Sequence, residues 1–179
     1  QGNDTDIIFK GTDGGADTTF WTMDGSETGN LVPGSTSTGI YLGVNSATAS
    51  NLLDDYEEGS WTPIVTTGGA NPSYSVQDGR YVKIGNICHV YMELNYTSSS
   101  SNTGQWGGLP FTVSNELSGG MNQYISILDG RNTTVYQALL IANDTKWYLR
   151  ANGTLSGGLQ SPSDFSGTRF NMQGSYITA

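Results

Sequence analysis

The sequence predicts an all-β protein: a trimeric β-rich stalk followed by an antiparallel β-sandwich head of jelly-roll type. Three observations predict it. The 179 residues include 25 glycines, with many serines, threonines and asparagines, against only 7 lysines and arginines. A chain so rich in turn formers favours many short strands over long helices. Short apolar runs alternate with period two, and no stretch sustains a helical period.

The clearest element is a hairpin. Arg80-Tyr81-Val82-Lys83-Ile84 and Ile87-Cys88-His89-Val90-Tyr91-Met92-Glu93-Leu94 are separated by Gly85-Asn86 alone, the spacing of a two-residue hairpin turn. In the second strand Cys88, Val90, Met92 and Leu94 share one face, which is expected to be core. Ile87, His89, Tyr91 and Glu93 share the other. That mixed face suits a surface partly covered by a neighbouring subunit. Further strands are expected at 124–128, 135–141, 146–150, 168–173 and 175–178, with Asn143-Asp144 supplying a turn.

The chain before residue 54 reads differently. Ile7-Ile8-Phe9, Thr19-Phe20-Trp21 and Gly39-Ile40-Tyr41-Leu42-Gly43 are apolar pieces separated by Gly, Asp, Ser, Thr and Asn. Each is too short to close a core in one chain, and a sticky strand face must be covered by something. Identical copies around a symmetry axis would cover it. The expected organisation is therefore a stalk over 1–53, an acidic junction over 54–63 and a sandwich head over 64–179.

Charge follows the same division. The net charge is −9, and residues 1–58 hold ten acids against Lys10 alone. Residues 59–179 hold six acids and six bases. An acidic chain without a basic stripe is a poor partner for nucleic acid or an anionic membrane surface. No apolar run is long enough for a transmembrane helix, so no membrane insertion is expected. No signal peptide is visible, and the chain opens at Gln1 rather than Met, as a fragment or processed product would.

Catalytic chemistry finds little footing. A nucleophile needs an activating base beside it, yet Cys88 and His89, the only cysteine and histidine, are adjacent strand residues that point to opposite faces. They cannot build a usual zinc site either. No phosphate loop or dinucleotide fingerprint is present. Asp54-Asp55 and Glu57-Glu58 form the one dense carboxylate group. A solvated collar is the plain reading of it, a calcium site with carbonyl oxygens the next. A hydrolytic pair needs two carboxyls across a cleft in unlike surroundings, which one run of acids does not offer. The expectation is no enzyme, no cofactor and no metal.

The segment Asn51-Leu52-Leu53-Asp54-Asp55-Tyr56-Glu57-Glu58-Gly59-Ser60-Trp61-Thr62-Pro63 resembles a junction that recurs in bacteriophage tail fibre proteins, particularly of marine and environmental phages. Gly39-Ile40-Tyr41-Leu42-Gly43 looks like the same context, and Gly79-Arg80-Tyr81-Val82-Lys83-Ile84-Gly85-Asn86 is similar to the hairpin these proteins carry. Gly108-Leu109-Pro110-Phe111 and Gly174-Ser175-Tyr176-Ile177 add weaker likenesses. The resemblance implies a homotrimer in the virion tail, joined to upstream tail fibre or tail proteins. Its C-terminal tip would adhere, without catalysis, to a host surface glycan or outer-membrane protein. Two alternatives stay open: a fragment of a tailspike whose depolymerase lies elsewhere, and a secreted lectin-like module.

Recognition is expected on loops of the head. Trp106, beside glycines after a polar run, is the first candidate for stacking on a sugar ring. Asn102, Arg131 and Asn132 are the candidate polar partners. Because residues 59–179 carry no basic excess, the expected target is neutral or mildly charged, and avidity from three copies would strengthen weak contacts.

The acidic stalk generates a prediction. Three chains would carry −27, three times the −9 of one, and like charges around an axis repel unless screened over about 8–10 Å. The melting temperature of the assembled protein is expected to hold or rise as sodium chloride or calcium is added. A steady fall would contradict a shared acidic stem.

Overall fold

The computed structural model describes residues 4–66, 72–97, 104–115, 123–129, 135–151 and 158–179. The chain divides into two compact units between Asp55 and Tyr56.

In the first unit, β1 (Ile7–Asp13), β2 (Ala16–Asp24) and β3 (Asn30–Pro33) form an antiparallel meander. Gly14-Gly15 joins β1 to β2 with φ of 59° and 86°, a left-handed turn open to glycine. The Asp24 carboxylate caps the next turn. It accepts from the Ser26 hydroxyl at 2.6 Å and the Ser26 amide at 2.9 Å, and the hydroxyl bond first of all holds Asp24 below the usual carboxylate range. A short ladder of β4 (Ile40–Tyr41) and β5 (Leu52–Leu53) follows, with a 3-10 turn over Ala49–Asn51 between them.

The apolar pieces of this unit pair with one another, which the sequence reading of separate fragments did not anticipate. Pairing them does not bury them. Register places Ile7 opposite Met23, Phe9 opposite Trp21, Met23 opposite Leu31 and Trp21 opposite Pro33. Paired residues share a face, so these six apolar residues line one side of the meander. Nothing in the unit covers that side: no described residue from 4 to 55 is buried, and Ile7 and Leu31 are 58 % and 52 % exposed.

The second unit is one nine-stranded antiparallel sheet. Its strands are β6 (Tyr56–Trp61), β7 (Ile64–Val65), β8 (Ser73–Ile84), β9 (Ile87–Thr97), β10 (Trp106–Gly107), β11 (Tyr124–Asp129), β12 (Val135–Leu140), β13 (Trp147–Ala151) and β14 (Arg169–Ile177). They lie in the order β6-β8-β9-β14-β11-β12-β13-β10-β7. The second compact unit starts at Tyr56, and six of the ten residues of the expected junction form its first strand. One sequence expectation is corrected. The strands expected at 168–173 and 175–178 are one, because Gly174 sits inside β14 with Ile125 filling the space a side chain would take.

The fold is all-β and antiparallel as expected, but its two layers are parts of a single curled sheet. β6 and β7 stand at opposite edges, yet only Thr62 and Pro63 separate them in sequence. The sheet must therefore curl until its edges meet. Side chains of β8 bind this seam. The Tyr74 hydroxyl accepts from the Val65 amide at 2.9 Å, and Gln77 Nε2 donates to the Pro63 carbonyl at 2.9 Å. Across the interior Trp61 meets Trp147 edge-on at 6.0 Å.

One core fills the curl. Cys88, Val90, Met92, Leu94 and Tyr96 of β9 are fully buried, joined by Phe170, Met172 and Tyr176 of β14, Ile127 of β11 and Leu149 of β13. Burial pushes the Cys88 thiol and the Tyr176 phenol upward from their ordinary pKa. The Tyr176 hydroxyl donates to the Phe111 carbonyl at 3.0 Å, pinning the 108–113 segment. A 3-10 turn, Pro162–Phe165, plugs one end: Phe165 meets Tyr136 at 4.9 Å, Phe170 at 5.7 Å and Trp106 at 6.0 Å.

The seam yields a test. Tyr74→Phe keeps the ring and removes the acceptor of the Val65 amide, a loss of about 0.5–1.5 kcal/mol. Faster hydrogen exchange at Val65 and a lower melting temperature are expected. Unchanged exchange would mean the seam is held elsewhere.

Candidate functional site

The outer face of the head follows from the same alternation that builds the core. With Cys88, Val90 and Met92 inward, His89, Tyr91 and Glu93 point out. Register then sets cross-strand rows: Arg80, Tyr91 and Gln173; Val82, His89 and Ser175; Asp78, Glu93 and Asn171. Over β9, β14 and β11 the surface dips into a groove of about 400 Å³, lined by His89, Tyr91, Ser126, Asn171, Gln173 and Gly174. That volume lies in the usual range for small-ligand sites, about 300–1,000 Å³.

Its lining mixes the Tyr91 ring with hydroxyl, amide and imidazole groups and holds no carboxylate, lysine or arginine. His89 Nδ1 bonds the Ser175 hydroxyl at 3.1 Å, which orients the imidazole. Asn171 Oδ1 is buried without a hydrogen-bond partner. Tyr91 is 40 % exposed. The charges in the flanking rows are already paired: Arg169 with Glu93 at 2.8 Å, and Arg80 with Asp78 at 3.4 Å.

The residues expected to bind lie elsewhere. Trp106 is fully buried, paired in register with Trp147 and Val65 and edge-on to Phe165. A buried ring has no free face, so Trp106 is a core residue and not a stacking platform. Its glycine-rich surroundings serve tight packing: a side chain at Gly104 would press within 2.9 Å of the Trp106 ring. Asn102, Arg131 and Asn132 lie outside the described residues. Of the neighbouring aromatics, Trp147 is core, and Tyr148 accepts from Gln105 Nε2 at 2.5 Å.

Cys88 faces the core while His89 faces out, so the two do not meet as a dyad. In the junction, Glu57 and Glu58 take opposite sides of β6, and each accepts from a tyrosine hydroxyl. Tyr81 bonds Glu57 at 2.5 Å and Tyr56 bonds Glu58 at 2.8 Å. These bonds push both phenols upward from their ordinary pKa. Among the described residues no group of three or more His, Cys, Asp and Glu side chains is placed to hold a metal ion. No helix among them is long and apolar enough to cross a membrane.

Sequence reasoning missed the groove, although its signal was present. In β14 Asn171, Gln173 and Ser175 alternate with Phe170, Met172 and Tyr176, a polar stripe opposite a core stripe. Comparison of the chain with protein-family models, curated proteins and solved structures returns no match.

The placement of Trp106 makes a prediction. Trp106→Ala is expected to cost about 3–5 kcal/mol of stability, as large-to-small changes of buried aromatics do. Thermal unfolding of the purified protein checks it. A stable Trp106→Ala protein with weakened binding would return the residue to a surface role.

Proposed function

We propose that the chain is the distal part of a bacteriophage tail fibre, a homotrimeric, non-enzymatic module that attaches the virion to a host-cell surface glycan or outer-membrane protein. The resemblance of 39–179 to such fibres points that way. The observation that carries the reading is the bare apolar face of the first unit. Ile7, Phe9, Trp21, Met23, Leu31 and Pro33 line one side of a three-stranded meander in a unit without a buried residue among those described. A contiguous exposed apolar surface marks an interaction site. A second or third copy brings the same surface, and closed symmetry is the common solution for identical chains.

The head fits the tip of such a fibre. A curled sheet with one dense core is a rigid support, and rigid supports carry recognition at their surface. Its outer face also bears a row of apolar side chains at the hairpin end: Tyr56, Ile84 and Ile87 are 60 %, 52 % and 52 % exposed. These would meet neighbouring heads in the trimer.

Light scattering is expected to give three times the 19.1 kDa chain mass. Phe9→Asp places a charge in the apolar face and is expected to release monomers. Adsorption to a panel of bacterial cells should then fall by about 10²–10⁴, the scale of lost avidity. A wild-type monomer at micromolar concentration, or a Phe9→Asp protein that stays trimeric, would overturn the stem as the assembling element.

A further inference from the structure

We infer that the groove over β9, β14 and β11 is a saccharide subsite, taking a pyranose ring of a neutral glycan with Tyr91 against its C–H face and Ser126, Asn171 and Gln173 on its hydroxyls. The inference rests on the adhesion reading and names the place and the ligand class.

Backbone chemistry narrows the ligand first. β9, β14 and β11 are interior strands of the sheet; β14 pairs with β9 along its whole length, while its ladder with β11 covers only Ile127–Asp129 against Phe170–Met172. An extended peptide reads a sheet through an edge strand, and the edge strands here are β6 and β7. A ligand over the middle of the sheet is met first by the side chains that line the groove.

Charge narrows it further. The acids and bases in the flanking rows, Glu93 with Arg169 and Asp78 with Arg80, are paired with one another. A groove flanked by these paired acids and bases favours a neutral ligand over an anion or a cation.

The lining then selects hydroxyls. Ser126, Asn171 and Gln173 bring a hydroxyl and two amide side chains to the groove. Asn171 is the most specific of them. Its Oδ1 is buried and unpartnered, and a buried acceptor without a donor is costly. A sugar hydroxyl would supply that donor. The imidazole of His89, oriented by Ser175 at 3.1 Å, adds a further polar group whose role follows its tautomer. Tyr91 adds a flat, half-exposed aromatic surface beside these groups, and a pyranose has one apolar C–H face and a rim of hydroxyls to match.

The test uses the full chain on an immobilised panel of neutral hexose and N-acetylhexosamine oligosaccharides, with sulfated and sialylated ones as charged comparators. The wild type is expected to bind a neutral member. Tyr91→Ala and Asn171→Ala should each weaken that binding by about tenfold or more, a change of about 1.4 kcal/mol, and Tyr91→Phe should retain it. Light-scattering mass of every variant should match the wild type, the melting temperature of the Tyr91 variants should match it too, and that of Asn171→Ala should hold or rise because a buried unpartnered acceptor is removed. Binding that survives both alanine variants would place the site elsewhere and leave adhesion standing. A wild type that binds no saccharide would overturn the saccharide assignment, and adsorption of the same protein to cells would then judge the adhesion reading separately. A Tyr91→Ala protein of altered mass would assign the groove to the contact between copies and overturn the subsite.

Discussion

A two-residue turn governs the head. Gly85 has φ of 56° and Asn86 stays in the ordinary negative region, the pattern of a type II′ turn, whose twist matches the flanking strands. The turn sets Ile84 opposite Ile87 and fixes the pairs of β8 and β9 as far as Val76 opposite Asn95, beyond which a bulge shifts the register. Because side chains alternate, a slip of one residue would send Cys88, Val90, Met92 and Leu94 into solvent and His89, Tyr91 and Glu93 into the core. β14 takes its register from β9 and β11 from β14. The inner and outer faces of the whole sheet, groove included, therefore descend from Gly85-Asn86.

The hairpin was legible because its information is local. Two turn residues between alternating strands state both the pairing and the buried face. Most other strands were visible individually for the same reason. Their order was not. β14 inserts between β9 and β11, and β10 and β7 pair near the far edge; such neighbours are distant in sequence and leave no periodic trace. Trp106 was misread through this gap. Locally it sits among glycines and polar residues, as a loop aromatic would, and only its distant neighbours Trp147, Val65 and Phe165 make it core. The groove was missed for the complementary reason. Tyr91 and Asn171 each read as ordinary outward residues, and only the pairing of β9 with β14 sets them side by side.

The two units solve the problem of apolar surface differently. The second unit curls one sheet so that its end strands β6 and β7 are joined through Thr62-Pro63, and it encloses four fully or nearly buried aromatics of 2 % exposure or less on β9, β14 and β13: Tyr96, Phe170, Tyr176 and Trp147. The first unit has too few strands to curl. Its meander leaves Ile7, Phe9, Met23 and Leu31 exposed on one face. In the proposed assembly of like chains apolar area would drive association and the acidic residues would oppose it, so salt, which screens charge and leaves apolar burial intact or strengthens it, would act on the balance in one direction.

The division of labour in the head also bears on how recognition could change without loss of the fold. Core positions of β9 and β14 are fully packed, and even a methylene is felt there. The outward positions 89, 91, 126 and 173 are exposed, and substitutions at such surface sites usually shift stability by only about 0.5 kcal/mol. A ligand read by these side chains can therefore be exchanged for another by substitutions that leave the register untouched. The interior strands make this possible. Over the middle of the sheet a ligand at the proposed subsite would meet side chains first, and the sheet beneath would serve as their fixed support.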